Sequence, residues 1–153
     1  MTLKQLIFSM VFVGLSVIAA CSNLPNQPSA QILQQQQQLQ KPHTVWKVTQ
    51  IQGHLLTANE LNHQPSLTFD IENKRVSGSD GCNRIFGSYQ LQGNVLHLSP
   101  LASTKMMCLD SVQMNDQFHL ALAQVESFSV EKQVLKLKDQ SNHVIMELSP
   151  QTP

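Results

Sequence analysis

The sequence predicts a mainly β domain, a small antiparallel β-barrel or strongly curled sheet with one packed α-helix. Three observations predict it. Beyond Pro42 the chain runs in short segments of alternating apolar and polar residues, as half-buried strands do. Gly, Asn, Pro and Asp punctuate those segments at turn-like intervals. One segment only, between Asp110 and Val125, repeats its apolar residues at helical steps.

The elements follow in order. Thr44 to Ile51 alternates, with Trp46 and Val48 on one side and Val45, Lys47 and Thr49 on the other. Ser66 to Ile71 places Leu67, Phe69 and Ile71 on one face, and Arg75 to Ser79 pairs back through a turn at Glu72-Asn73-Lys74. Arg84 to Leu91 and Val95 to Leu98 flank Gln92-Gly93-Asn94, a connection that suits a hairpin. The helix carries Met114, Phe118, Ala121, Leu122 and Val125 on its inner stripe, with Asp110 or Ser111 to cap its start. Phe128 to Lys132, Val134 to Lys138 and His143 to Leu148 complete a meander. No internal repeat is evident.

Ahead of the domain the composition changes. Residues 22 to 42 are rich in Gln, Pro, Asn and Ser, include the uninterrupted Gln34 to Gln38, and read as a flexible tether. The alternative is a Gln-rich helix through Ile32, Leu33 and Leu39, with a thin apolar stripe. Further upstream, Lys4 supplies a positive start, Leu6 to Val13 an apolar core, and Ala19-Ala20-Cys21 a small-small-Cys ending. This segment resembles the signal peptide of bacterial lipoproteins. The resemblance implies cleavage before Cys21, lipid on its thiol and freed amine, and stable attachment to a bilayer by two or three acyl chains. The chain then divides into a signal peptide over 1–20, an acylated Cys21 and tether over 21–42, and a domain over 43–150. Ser22 after the acylated cysteine is consistent with sorting to the outer membrane, the domain facing the periplasm.

Removing 20 residues leaves about 130, room for one domain with a modest core. The whole chain has ten basic and ten acidic residues; losing Lys4 leaves nine against ten, a net charge of −1. Nucleic acid is therefore excluded as the main partner, since its binding needs dense Lys/Arg patches and the densest pair here is Lys74-Arg75.

The densest cluster of special residues is Gly78-Ser79-Asp80-Gly81-Cys82-Asn83-Arg84-Ile85-Phe86-Gly87-Ser88-Tyr89, followed by Leu101-Ala102-Ser103-Thr104-Lys105-Met106-Met107-Cys108. With Trp46 before them and a helix and an L-x-L strand after them, these runs resemble the META domain of HslJ-like bacterial envelope proteins. The resemblance spans Trp46 to Leu148. Asp116 and Phe118 occupy the stretch where members carry an acidic residue followed by an aromatic, and Leu109 stands where members often have Pro. The resemblance implies a non-enzymatic envelope protein supporting integrity or stress tolerance, against heat and novobiocin-type antibiotics. An alternative is a lipid-anchored binding inhibitor such as a lysozyme inhibitor, for which Gly87-Ser88-Tyr89 offers a faint likeness.

Two readings of Asp80, Asn83 and Arg84 stay open: they bind a polar ligand, or they hold a turn through side-chain hydrogen bonds. Once Cys21 is lipidated, Cys82 and Cys108 remain and face an oxidising compartment, so a disulfide is expected, worth on the order of 3.5 kcal/mol. A catalytic thiol with His97, His119 or His143 as base has no flanking motif to support it. The six histidines stand singly, without metal-ligand spacing, and read as exposed or edge residues. Met106 and Met107 beside Cys108 read as core packing rather than as a soft-metal site. No cofactor is expected beyond covalent lipid on Cys21.

Overall fold

The computed structural model describes residues 29–106, 108 and 112–151. The signal peptide, Cys21, Met107 and the proposed caps Asp110 and Ser111 lie outside the described residues.

The chain runs α1 (Ala30–Leu39), β1 (Val45–Ile51), β2 (His54–Leu55), α2 (Ala58–Leu61), β3 (Ser66–Asp70), β4 (Arg75–Ser79), β5 (Arg84–Gln92), β6 (Val95–Leu98), β7 (Ala102–Ser103), α3 (Val112–Leu122), β8 (Ser127–Glu131), β9 (Val134–Lys138) and β10 (Val144–Gln151). All pairings are antiparallel, in the order β10-β9-β8-β6-β5-β4-β3-β1-β2, and β10 returns to pair with β1. The sheet therefore closes into a ring, with β2 flanking β1 and the short β7 flanking β5. Closure removes the free edges that would otherwise template aggregation.

Alternation fills the interior. Trp46, Val48, Leu67, Phe69, Val76, Ile85, Tyr89, Leu96, Phe128, Leu135, Leu137 and Leu148 are all buried. The β1 pattern holds to Val48 and then shifts, because a bulge at Thr49 against β10 turns Ile51 inward as well. Ile71 is not inward: it lies beyond the end of β3 and is 46% exposed. Asp70 shapes that turn, accepting the N–H groups of Glu72 at 2.9 Å and Asn73 at 3.1 Å.

Two helices close the barrel. α3 presents Met114, Phe118, Ala121 and Leu122 to the core, Phe118 being fully buried. It lies in the long connection between β6 and β8, where the seam is thin: one register pair, Val95 with Ser127, flanked by Leu96 N–H to Glu126 and Phe128 N–H to Asn94.

α1 corrects the flexible-tether reading of residues 30–39 in favour of its alternative, a Gln-rich helix, although Leu33 lies at the surface rather than on the docked stripe. The Gln-rich segment is a helix, capped by Ser29 and docked on the barrel. Leu39 is buried, the Trp46 indole donates to the Leu39 carbonyl at 3.2 Å, and the Gln36 amide donates to the Gly93 carbonyl at 2.8 Å. Gln40 donates to the Tyr89 hydroxyl at 2.7 Å, and that hydroxyl donates to the Asp70 carbonyl at 3.2 Å. The facing stripe is Ile32, Gln36, Leu39 and Gln40, spaced at helical steps but half amide. Apolar periodicity registers only Ile32 and Leu39 of this stripe and not its two glutamines.

Candidate functional site

The loop from Ser79 to Arg84 folds around one carboxylate. Asp80 is 1% exposed; its Oδ1 accepts the N–H groups of Cys82 at 2.9 Å and Asn83 at 2.6 Å, while its own N–H reaches the Asn83 carbonyl at 3.0 Å. From α3, His119 Nε2 lies 3.0 Å from Asp80 Oδ2. Burial pushes the Asp80 carboxyl up, but the bonds from Asn83, His119 and Cys82 outweigh it and hold the group below its ordinary value of 3.8. An ionised carboxylate only accepts, so the His119 Nε2 is assigned as the protonated donor.

Gly81 is required in this loop. Its φ is +98°, and a side chain there would run into the His63 carbonyl.

Asn83 ties this loop to the strand beyond β6. Its Oδ1 accepts the Met106 N–H at 2.6 Å and the Thr104 hydroxyl at 3.2 Å. Thr104 in turn accepts the Arg84 N–H at 3.1 Å and donates its own N–H to the Arg84 carbonyl at 3.0 Å. Next to these bonds Cys82 and Cys108 form a disulfide, with Cα atoms 6.1 Å apart. The expected disulfide is thus present, and it closes the same junction that Asn83 and Thr104 bridge.

The three polar residues singled out from the sequence do not form one side-chain cluster. Asp80 spends its side chain on the loop and Asn83 on Thr104 and Met106, whereas Arg84 is exposed at the start of β5. A depression of about 380 Å³ borders the loop, with Lys105, Asn115, Asp116 and His119 on its rim. Asp80 behind a half-exposed His119 has the arrangement of an orienting acid and a base, but no described hydroxyl hydrogen-bonds the imidazole. Among the described residues no three His, Cys, Asp or Glu side chains gather to hold a metal ion.

Two expectations need correction. His119 is not an edge histidine but the link between α3 and the loop, and nothing in its spacing from Asp80 announced the pair. His54, His97 and His143 do lie at the surface, each within 4 Å of a carboxylate. Met106 does not pack in the core; it is 62% exposed, because the 104–106 stretch bonds edge-on to the loop. The helix α2 lies between strands where the alternation pattern marks no element, and Thr57-Ala58-Asn59-Glu60 has the spacing of a capping box and forms one.

Residues 37–151 match the META domain. No curated protein matches the chain. Among solved structures it is similar to a protein from Burkholderia xenovorans studied by NMR, at 19% identity and a TM-score of 0.61, covering 99% of this chain and 100% of that one. A DUF4847-family protein from Bacteroides vulgatus is similar at 16% identity and a TM-score of 0.52, over 69% of this chain and 90% of that one. A further protein solved by NMR shares 24% identity at a TM-score of 0.54, over 75% and 92%. At these identities the likeness concerns the fold.

Proposed function

The chain belongs to the META-domain family, and from that premise we propose that it is a non-enzymatic, lipid-anchored protein of the bacterial cell envelope that supports envelope integrity under stress. The observation that carries the non-enzymatic part is the use made of the polar cluster. Asp80 and Asn83, the groups best suited to chemistry, are committed to backbone N–H groups and to Thr104, and among the described residues no hydroxyl or thiol hydrogen-bonds the His119 ring.

Anchoring rests on the lipobox-like ending at Cys21. Nine residue steps separate Cys21 from Ala30, a reach of at most about 30 Å, so acyl chains on Cys21 would hold the α1 end of the barrel next to the bilayer. The outer membrane, through its periplasmic leaflet, is the proposed location, and heat and novobiocin-type antibiotics are the proposed stresses.

Radiolabelled palmitate tests the anchor. The native protein should take up label and sediment with the outer membrane, and Cys21→Ala should do neither. Label and membrane sedimentation retained by Cys21→Ala would remove the anchoring reading. Survival at raised temperature and in novobiocin should fall when the gene is deleted, and should be restored by the native chain but not by Cys21→Ala.

A further inference from the structure

The pole of the barrel opposite α1 carries a cleft of about 810 Å³ between α2 and α3, inside the roughly 300–1,000 Å³ range of small-ligand sites. Asn59 and Asn62 line one wall, three residues apart; Gln113 and Gln117 line the other, four apart. These spacings put each pair on one helix face, so two pairs of carboxamides border one space. Met114, 5% exposed, supplies an apolar floor, and His54 and His63 stand at the sides.

The charge of the cleft is nearly neutral. Among the described residues no Lys or Arg lines it, and the carboxylate that does, Glu60, is already engaged by the Thr57 N–H at 2.6 Å and the Thr57 hydroxyl at 2.7 Å. Those Thr57 bonds, hydroxyl first, hold the Glu60 carboxyl below its ordinary value. A phosphate or another anion finds no Lys or Arg among these described residues.

The walls are held in place before any ligand arrives. The His63 carbonyl packs where Gly81 has no side chain, and the Gln64 amide donates to the Val48 carbonyl at 2.7 Å. Pre-organisation of this kind lowers the cost of binding.

We propose that this cleft binds a neutral glycan, a short run of sugars bearing hydroxyl and acetamido groups. A carboxamide offers a donor and an acceptor side by side, matching neighbouring sugar hydroxyls, and the Met114 thioether gives an acetamido methyl an apolar contact. An extended peptide fits less well. The facing walls are helical and offer no strand edge for another strand to join. α1 docks elsewhere, on Gly93 and Tyr89, and does not line the cleft. With no Trp, Tyr or Phe among the described lining residues, the site should bind weakly, with a Kd of about 1 mM.

Saturation-transfer NMR on the purified full-length protein in detergent, with tri-N-acetylchitotriose as the probe, tests this without reference to anchoring. The acetamido methyl signals should receive saturation, and Gln113→Ala/Gln117→Ala should weaken binding about tenfold. Asn59→Ala/Asn62→Ala on the other wall should do the same, whereas Gln90→Ala should bind as the native chain does. Thermal melting should show all three variants folded. Absence of transfer at about 10 mM probe, or equal transfer in both wall variants, would overturn the proposal. So would transfer to a neutral tripeptide where the glycan receives none.

Discussion

Asp80 shows why a buried charge in this protein need not be a reactive one. Its carboxylate replaces lost hydration with two backbone N–H groups and the His119 imidazole. Asp80→Ala leaves those donors unpaired and should lower stability by about 3 kcal/mol, read from urea unfolding. The pH dependence has a definite sign. Because the folded-state pKa lies below the ordinary value of 3.8, the unfolded chain binds the proton more readily. The stability that Asp80 contributes is therefore complete above the unfolded pKa of about 4 and is lost as pH falls through the folded pKa. Asp80→Asn should flatten this acid limb in melting temperature measured from about pH 6 to pH 2; an unchanged limb would assign the acid sensitivity to other groups. Gly81→Ala adds strain from positive φ to a collision with the His63 carbonyl, and should cost about 2 kcal/mol or more in the same assay.

At the scale of elements, α1 is where local reading and tertiary structure part. Its stripe toward the barrel is half glutamine, and those amides are satisfied by Gly93 and Tyr89 rather than by water. The partners lie 57 and 49 residues away, so no local pattern contains them. Tyr89 itself is buried, packs edge-on against Phe69 with ring centroids 5.4 Å apart, and has its phenol pKa pushed up by burial. Tyr89→Phe deprives the Gln40 amide of its acceptor and should cost about 1 kcal/mol. Hydrogen exchange should then quicken across 30–39 while β1 and β10 stay protected; equal protection in α1 before and after would show that the helix is held by other means. α3 is the contrasting case. Its apolar steps from Met114 to Leu122 were legible because the face that reaches the core carries no polar residue except at its flank, where His119 leaves the stripe to meet Asp80. Phe118→Ala should cost about 3–5 kcal/mol, the range for emptying a fully packed aromatic site.

For the whole molecule, alternation and turn residues specified the strands, and closure of β10 on β1 is what those strands do with their remaining edges. The candidate site was legible as residues and not as an arrangement. Asp80, Asn83 and the two cysteines stood out, but Thr104 and His119 as their partners come from chain segments brought together only by the barrel. The disulfide and the Asn83 bridge pin the same junction, which joins β5 to the connection leading into α3. Removing the disulfide by Cys82→Ser/Cys108→Ser should cost about 3.5 kcal/mol, with the barrel retained by far-ultraviolet circular dichroism. The central claim is that one cysteine anchors this barrel and the other two brace it. Intact-mass spectrometry of the native protein, isolated from the envelope without reductant, tests that claim most directly. The account predicts a chain that begins at Cys21, carries two or three acyl chains, and is lighter by the two hydrogens lost in joining Cys82 to Cys108. A mass that still includes residues 1–20, or one that leaves both thiols free, would contradict it.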